Sequence, residues 1–338
     1  MRVVVVGASG NVGSAVLRAL HTSPEITSVV GVSRSRPSQD SVPAGTEWVA
    51  MDVAAEHPPY GRRLTEVLAG ADAVVCLAWL IQPTHDEPLR RRTNVDGTAK
   101  VIAAAVEAGV PQVVYASSIG TYAPSPGDER RDESWPTTGI PTSSYSRHKV
   151  EVERLIDGLE IGGSSTIITR LRPTLIFQGG AGTEIVRYFG GRWIPPRLVG
   201  AFRTPVMPLP AGLRLQLVHA DDVAAAVVAS IVRRAGGPFN LASDPVLTAD
   251  DIAAQVGGRA VATPRIVFRV AADATWRMHL QPTDRGWVDM ALEAPLLDSS
   301  RAREVLGWAP QRDARSTLAE LFEGFRAGRS DVRPQASR

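Results

Sequence analysis

The sequence has little cysteine, little lysine and no long apolar run. Cys76 is the single cysteine among 338 residues, so no intrachain disulfide can form and a metal site built from several thiolates is excluded. The histidines (His21, His57, His85, His148, His219 and His279) are scattered, none at paired-ligand spacing, and no metal is expected. The longest apolar stretch, Val223 to Val232, is about ten residues against the roughly 20 needed to cross a bilayer. The N-terminus runs through four valines into Gly7, too short for a signal-peptide core. A cytoplasmic protein with no membrane partner is therefore expected. Neither sign of charge dominates: 37 basic residues face 35 acidic ones, which argues against a nucleic-acid binder with its basic stripe. Within the basic set only Lys100 and Lys149 are lysines. A coding preference explains the arginines, and Lys100 is expected on the solvated surface.

What is present is a strand–helix rhythm. Apolar, β-branched runs at residues 2–6, 29–32, 47–51, 73–77 and 112–116 suit buried parallel strands. Helical patterns separate them at 11–20, 62–68 and 89–108, and a helix at 144–159 leads into a strand at 165–171. This predicts an α/β fold, a doubly wound parallel sheet of Rossmann type. From Pro173 prolines crowd the chain, and then a strand at 215–218, a helix at 222–233 and a strand at 238–241 restore the rhythm. Further helices are expected near 249–256, 265–279, 300–306 and 314–327. The predicted organisation is a dinucleotide-binding domain from 1–172 and 215–242. A smaller, discontinuous substrate domain comes from 173–214 and 243–329, and 330–338 form a tail. Two Pro-rich stretches, 123–141 and 194–210, have the length of lids or substrate walls.

The first strand ends in Gly7-Ala8-Ser9-Gly10-Asn11-Val12-Gly13 and opens a helix. Glycines let backbone approach a pyrophosphate, and a helix N-terminus offers unpaired N–H groups and partial positive charge. Gly7, Gly10, Asn11, Val12 and Gly13 are thus candidate dinucleotide ligands. The second strand ends Ser33-Arg34-Ser35-Arg36, with no carboxylate to hold an adenosine ribose. Ser33 and Arg34 suit a ribose 2′-phosphate, so NADP(H) is favoured over NAD(H). Asp52, with Val53 after it, is placed to meet the adenine.

Tyr145 and Lys149 stand four residues apart, on one face of a helix. A cation beside a phenol favours phenolate and lowers its pKa from about 10. Such a tyrosine can exchange a proton with a carbonyl or alcohol near neutral pH. The pair follows Tyr115-Ala116-Ser117-Ser118, a strand end that delivers hydroxyls to the carboxyl edge of the sheet, where ligands bind.

Together these motifs resemble the extended short-chain dehydrogenase/reductases, the NAD-dependent epimerase/dehydratase group. The resemblance rests on the glycine motif, Asp52-Val53, Leu77-Ala78, Asn94-Val95-Asp96-Gly97-Thr98, Ser117-Ser118, Tyr145 with Lys149, Arg172-Pro173, Val218-His219-Ala220-Asp221-Asp222-Val223, and Leu306-Gly307-Trp308-Ala309-Pro310. It implies that Tyr145 is the acid/base and that Ser118 bonds the reacting oxygen, with Ser117 as its structural neighbour. It implies that Lys149 lowers the tyrosine pKa and bonds the nicotinamide ribose. Leu77, Ala78 and Pro173 would line the cofactor groove, and Asn94 would order its helix and nearby backbone. Such relatives often pair as homodimers through the helices near 89–108 and 144–159, whose apolar content permits it.

Departures from the pattern bear on substrate. Trp79 puts a bulky ring close to the expected nicotinamide pocket. Leu215 and Gln216 stand where nucleotide-sugar epimerases carry an Arg-Asp pair, which weakens a nucleotide-sugar substrate, although Arg214 or Arg203 could take that role. Trp193, Ile194, Pro195, Pro196, Leu198, Phe202, Met207, Phe268, Trp276 and Met278 suggest a moderately apolar pocket for a ketone, aldehyde or secondary alcohol. His219 suits a buried structural hydrogen bond, and Asp221 or Asp222 a helix cap. The reading is an NAD(P)-dependent oxidoreductase. The alternatives are an epimerase or dehydratase that retains its cofactor, and a non-catalytic NADP-sensing protein.

Overall fold

The computed structural model describes residues 1–38, 42–55, 59–81, 84–178, 206–281 and 283–327. The strands are β1 (Arg2–Val6), β2 (Ser28–Ser33), β3 (Thr46–Ala50), β4 (Ala73–Cys76), β5 (Gln112–Ala116), β6 (Arg130–Arg131), β7 (Ile167–Pro173), β8 (Leu175–Phe177), β9 (Val206–Pro210), β10 (Arg214–His219), β11 (Gly237–Leu241), β12 (Ser243–Thr248), β13 (Arg259–Thr263) and β14 (Leu296–Leu297). The helices are α1 (Asn11–Thr22), α2 (Pro59–Leu68), α3 (Glu87–Arg91), α4 (Gly97–Glu107), α5 (Ser144–Ile161), α6 (Ala220–Val232), α7 (Ala249–Ala254), α8 (Arg265–Arg277), α9 (Arg285–Glu293), α10 (Ser300–Leu306) and α11 (Ala314–Ala327).

Seven parallel strands form the central sheet in the order β11-β7-β5-β4-β1-β2-β3. The four valines of β1 show why the run is apolar without alternation. Val3 and Val5 enter the core on the α1/α6 side, while Val4 and Val6 enter the core on the α2/α4/α5 side. Strand order reverses between β1 and β4, and this switch point fixes where a ligand crevice opens.

Three expectations change. Strand β10 does not join the central sheet; it pairs with β8 and β12 in a separate three-stranded sheet. Its alternation bridges two cores, Val218 entering the main one and Leu217 the smaller one beneath α11. The helix expected at 89–108 is broken by a π-helical turn at Arg92–Asp96. Lys100 is half-buried and donates to the Ala55 carbonyl (3.0 Å), so it is not a freely solvated lysine. The tail 330–338 and most of the Pro-rich stretch 194–210, with Trp193, Ile194, Pro195, Pro196, Leu198, Phe202 and Arg203, lie outside the described residues. No described helix is long and apolar enough to cross a membrane. Among the described residues no cluster could hold a metal ion.

Candidate active site

At the switch point Gly7 has φ +92°, and a Cβ there would stand 2.6 Å from the Ala78 nitrogen and 2.7 Å from the Leu77 carbonyl carbon. Only glycine lets the β1 end and the β4 end approach this closely. A Cβ at Gly13 would meet the Gly7 oxygen at 2.5 Å, which seats α1 directly under the loop. Gly10 caps α1 with no side-chain hydrogen bond, and no acidic residue occupies its first turn. Among the described residues nothing accepts from the first-turn N–H groups at Asn11, Val12 and Gly13, which suits them to an external acceptor. This is a cradle of the kind a dinucleotide pyrophosphate fits. Gln178, at the end of β8, hydrogen-bonds the Asn11 side chain across it.

The end of β2 adjoins this cradle, since the Gly7 and Ala8 N–H groups both donate to the Val32 carbonyl. Ser33 is buried and its hydroxyl donates to the Ser35 carbonyl (2.7 Å); Arg34 is exposed. Asp52 accepts from the Ala54 N–H (3.0 Å), and Val53 packs against Gly97. Asn94, in the π-helical turn, makes a two-way bond with the Leu80 backbone, accepting at 2.6 Å and donating at 3.1 Å. It thereby orders the segment that carries Leu77, Ala78 and Trp79. Pro173 is buried at the end of β7, paired with Leu241.

Ser118, Tyr145 and Lys149 meet at the carboxyl end of β5. The Ser143 hydroxyl caps α5, which carries Tyr145 and Lys149 in its first turns. Ser118 accepts from the Gly120 N–H (3.0 Å) and hydrogen-bonds the Tyr145 phenol. Burial pushes that phenol up to about 12, against the Ser118 bond, which favours phenolate. The Lys149 ammonium donates to the Ala116 carbonyl (2.6 Å) and faces the Trp79 ring at 3.5 Å and the Tyr115 ring at 4.9 Å. Burial pulls Lys149 down to about 7, opposed by Cys76 and Glu153. The expected lowering of Tyr145 by Lys149 is not what this geometry provides. The ammonium is turned to Ala116 and Trp79 and stands 5.9 Å from the tyrosine ring centre. Cys76, beneath it, is buried and its thiol is pushed up to about 12 by burial, which makes it inert.

The family now follows from comparison. A family description, NAD dependent epimerase/dehydratase, matches residues 3–242. The chain belongs to this family. A ketoreductase of Stigmatella aurantiaca, named for 4-hydroxy-2-methyl-3-oxo-4-farnesyl-3,4-dihydroquinoline-1-oxide, is 26% identical over 346 residues, covering 97% of this chain and 98% of the relative. An uncharacterized protein of Mycobacterium tuberculosis is 26% identical over 326 residues, 95% of this chain; the chain spans 30% of that relative's length. Among solved structures, a Thermus thermophilus UDP-glucose 4-epimerase in complex with NAD superposes with a TM-score of 0.69 at 19% identity, covering 96% of this chain and 99% of that one. That likeness shows the fold alone, and the family matched over residues 3–242 is one of NAD-dependent enzymes.

Several residues of the site in this family member were not legible in the sequence. Trp287 on α9 lies 5.5 Å from the Tyr145 ring, centre to centre, and Trp79 meets it edge-on at 5.9 Å. A Cβ at Gly120 would stand 3.1 Å from the Tyr145 ring and 3.4 Å from the Met290 sulfur. Helix α9 reaches Tyr145 because Gly286 packs against Thr142 and Ser143, where a Cβ would lie 2.4 Å from the Thr142 oxygen. Asp284 caps the start of α9, accepting from the Gly286 N–H. Of the apolar residues expected to line the pocket, Trp276 instead stacks on His85 at 5.0 Å and Met278 is exposed. Gln216 is engaged both ways with the Leu297 backbone, and Arg214 is paired with Asp128. His219, not Asp221 or Asp222, caps α6, accepting from the Asp221 N–H. Asp222 instead receives the Gln311 and Arg312 N–H groups.

Proposed function

We propose that the chain is an NAD(P)-dependent oxidoreductase acting on a carbonyl, or the matching secondary alcohol, on a moderately apolar small molecule. The observation that carries this reading is the convergence of Ser118, Tyr145 and Lys149 beside the glycine cradle, under an aromatic cover of Trp79 and Trp287. When bound, the nicotinamide supplies or takes up the hydride at the substrate carbon. In reduction Tyr145 gives its phenolic proton to the substrate oxygen, and Ser118 orients that oxygen. Three donors belong to the Lys149 ammonium and Ala116 takes one; the others suit the nicotinamide ribose. A compact ammonium bonded to Ala116 leaves room for the sugar where a guanidinium fork would not.

Gly7, Gly10, Asn11, Val12 and Gly13 hold the pyrophosphate in this reading. Asp52 and Val53 meet the adenine, and Leu77, Ala78, Trp79, Asn94 and Pro173 form or support the groove. Ser33 and Arg34 favour NADP(H), because an exposed guanidinium at the β2 end can meet a 2′-phosphate and the strand end Ser33-Arg34-Ser35-Arg36 carries no carboxylate. Residues 1–172 and 215–242 serve as the cofactor domain, and 173–214 with 243–329 as the substrate domain. Homodimerisation through the faces of α4 and α5 belongs to the same proposal. The engagement of Gln216 and Arg214 elsewhere speaks against a nucleotide-sugar diphosphate. The kinship to a ketoreductase named for a farnesylated quinoline supports a lipophilic ketone.

The test is a mass spectrum and absorbance spectrum of purified protein, followed by NADPH oxidation with a panel of lipophilic ketones and aldehydes. Exchangeable NADP(H) and ketone-dependent oxidation support the reading. Stoichiometric retained NAD with no ketone reduction turns it towards an epimerase.

A further inference from the structure

Beneath the site lies a buried ionic cluster that the reaction above does not use. Glu153 follows Lys149 by one helical turn on α5 and is 2% exposed. Both its oxygens are taken. Ser117 donates to Oε1 at 2.5 Å and Arg172 Nε at 2.9 Å, while Arg172 Nη2 donates to Oε2 at 2.7 Å and Arg170 at 3.1 Å. Arg172 continues to the Tyr122 hydroxyl (2.9 Å), which donates to Asn240 (2.7 Å). Arg170 is also paired with Asp157 and Glu160.

A buried ion pair contributes little net stability compared with apolar residues of the same shape. What this one does is geometric. Ser117 sits between Ala116, whose carbonyl receives Lys149, and Ser118, which bonds Tyr145. Helix α5 is thus tied to three consecutive residues at the end of β5, and Glu153 makes the central tie.

We propose that Glu153 is a positioning residue for the acid/base pair. Clamped by Arg172, it fixes through Ser117 the strand end that gives Lys149 its acceptor and Tyr145 its serine, and it sets its carboxylate one helical turn from Lys149 on the same face of α5. This rests on the roles proposed for Tyr145 and Lys149. The charged and titratable groups around Glu153 are Arg170 and Arg172 on β7, Tyr115 on β5, Tyr122 after Ser118, and Lys149 on its own helix. Those around Lys149 are Cys76 on β4, Glu153, and the phenols of Tyr115 and Tyr145.

The two-lysine composition makes the test direct. Full-length protein grown on 13C-lysine shows two lysine side-chain signals, Lys100 and Lys149. In Glu153→Gln, which keeps the shape and an acceptor for Ser117, the Lys149 titration moves down by about one pH unit or more, a tenfold change in its proton equilibrium, while Lys100 stays put. A folded Glu153→Gln protein whose Lys149 titrates with the wild type overturns the proposal. A purely structural role lowers the melting temperature without moving that titration. Should Glu153→Gln not fold, Ser117→Ala keeps every charge and cuts only the tie. There the Lys149 ε-CH2 protons, shifted by the rings of Trp79 and Tyr115, move towards the Lys100 position; unmoved signals overturn the proposal. Neither readout depends on turnover, so failure here is distinguishable from failure of the oxidoreductase reading, which shows as undiminished activity in Tyr145→Phe.

Discussion

The Lys149 ammonium rests 3.5 Å from the centre of the Trp79 indole ring. A buried cation on a π face gains on the order of 2 kcal/mol, and the ring that supplies this also shuts out water. Water exclusion has the larger effect on Lys149, whose acidity is set first by burial. Trp79→Ala should therefore raise the Lys149 titration from about 7 towards the ordinary lysine value. The 13C-lysine signal reads this, and a Lys149 titration that stays near 7 contradicts it.

The same burial predicts how stability depends on pH. Lys149 is pulled from 10.5 to about 7 in the folded protein. Between those values the unfolded chain holds a proton that the folded chain has released, so stability rises with pH, at about 1.4 kcal/mol per unit at most. Below pH 7 both states are protonated and the contribution is at its low plateau. Tyr145, raised to about 12, works oppositely: its contribution is complete below pH 10 and lost above it. The pH 7 to 10 slope should shrink in Lys149→Met. Urea denaturation of the two proteins across that range measures it, and parallel curves count against the burial argument.

At the cradle, Gly7→Ala puts a methyl within 2.6 Å of backbone at a φ that L-residues avoid. Loss of dinucleotide binding and a destabilisation of about 1–3 kcal/mol are expected. NADH fluorescence titration and thermal melting test both parts. A variant that melts and binds like the wild type removes the cradle from the cofactor site.

Arg34 tests cofactor choice. In Arg34→Ala the preference for NADPH over NADH should fall about tenfold or more, with NADH binding unchanged. An unaltered ratio of dissociation constants assigns the exposed arginine to solvent.

How much of this could be read in the sequence depends on the range of the contacts. The β1 valines, the glycine motif and the Tyr145/Lys149 spacing are local patterns, and each lies in the element expected. The π-helical turn at Arg92–Asp96 was not legible, because its periodicity differs from an α-helix by one residue in a short span. Trp287 reaches Tyr145, and Met290 reaches Gly120 beside it, because Gly286 lets α9 close on Thr142, a contact more than 140 residues away in the chain. The role of Gln216 depends likewise on Leu297. His219 takes the cap that the aspartates after it advertise, since Asp222 is drawn to the Gln311 and Arg312 backbone.

The central claim is that Tyr145 moves the proton in a hydride transfer at this site. Its most direct test is deuterium transfer from [4-2H]NADPH or [4-2H]NADH to a panel of lipophilic ketones, wild type against Tyr145→Phe, with cofactor binding measured on both. The account predicts deuterium at the carbinol carbon with the wild type, a rate at least ~100-fold lower with Tyr145→Phe, and matching cofactor affinities. Equal transfer by both proteins contradicts it.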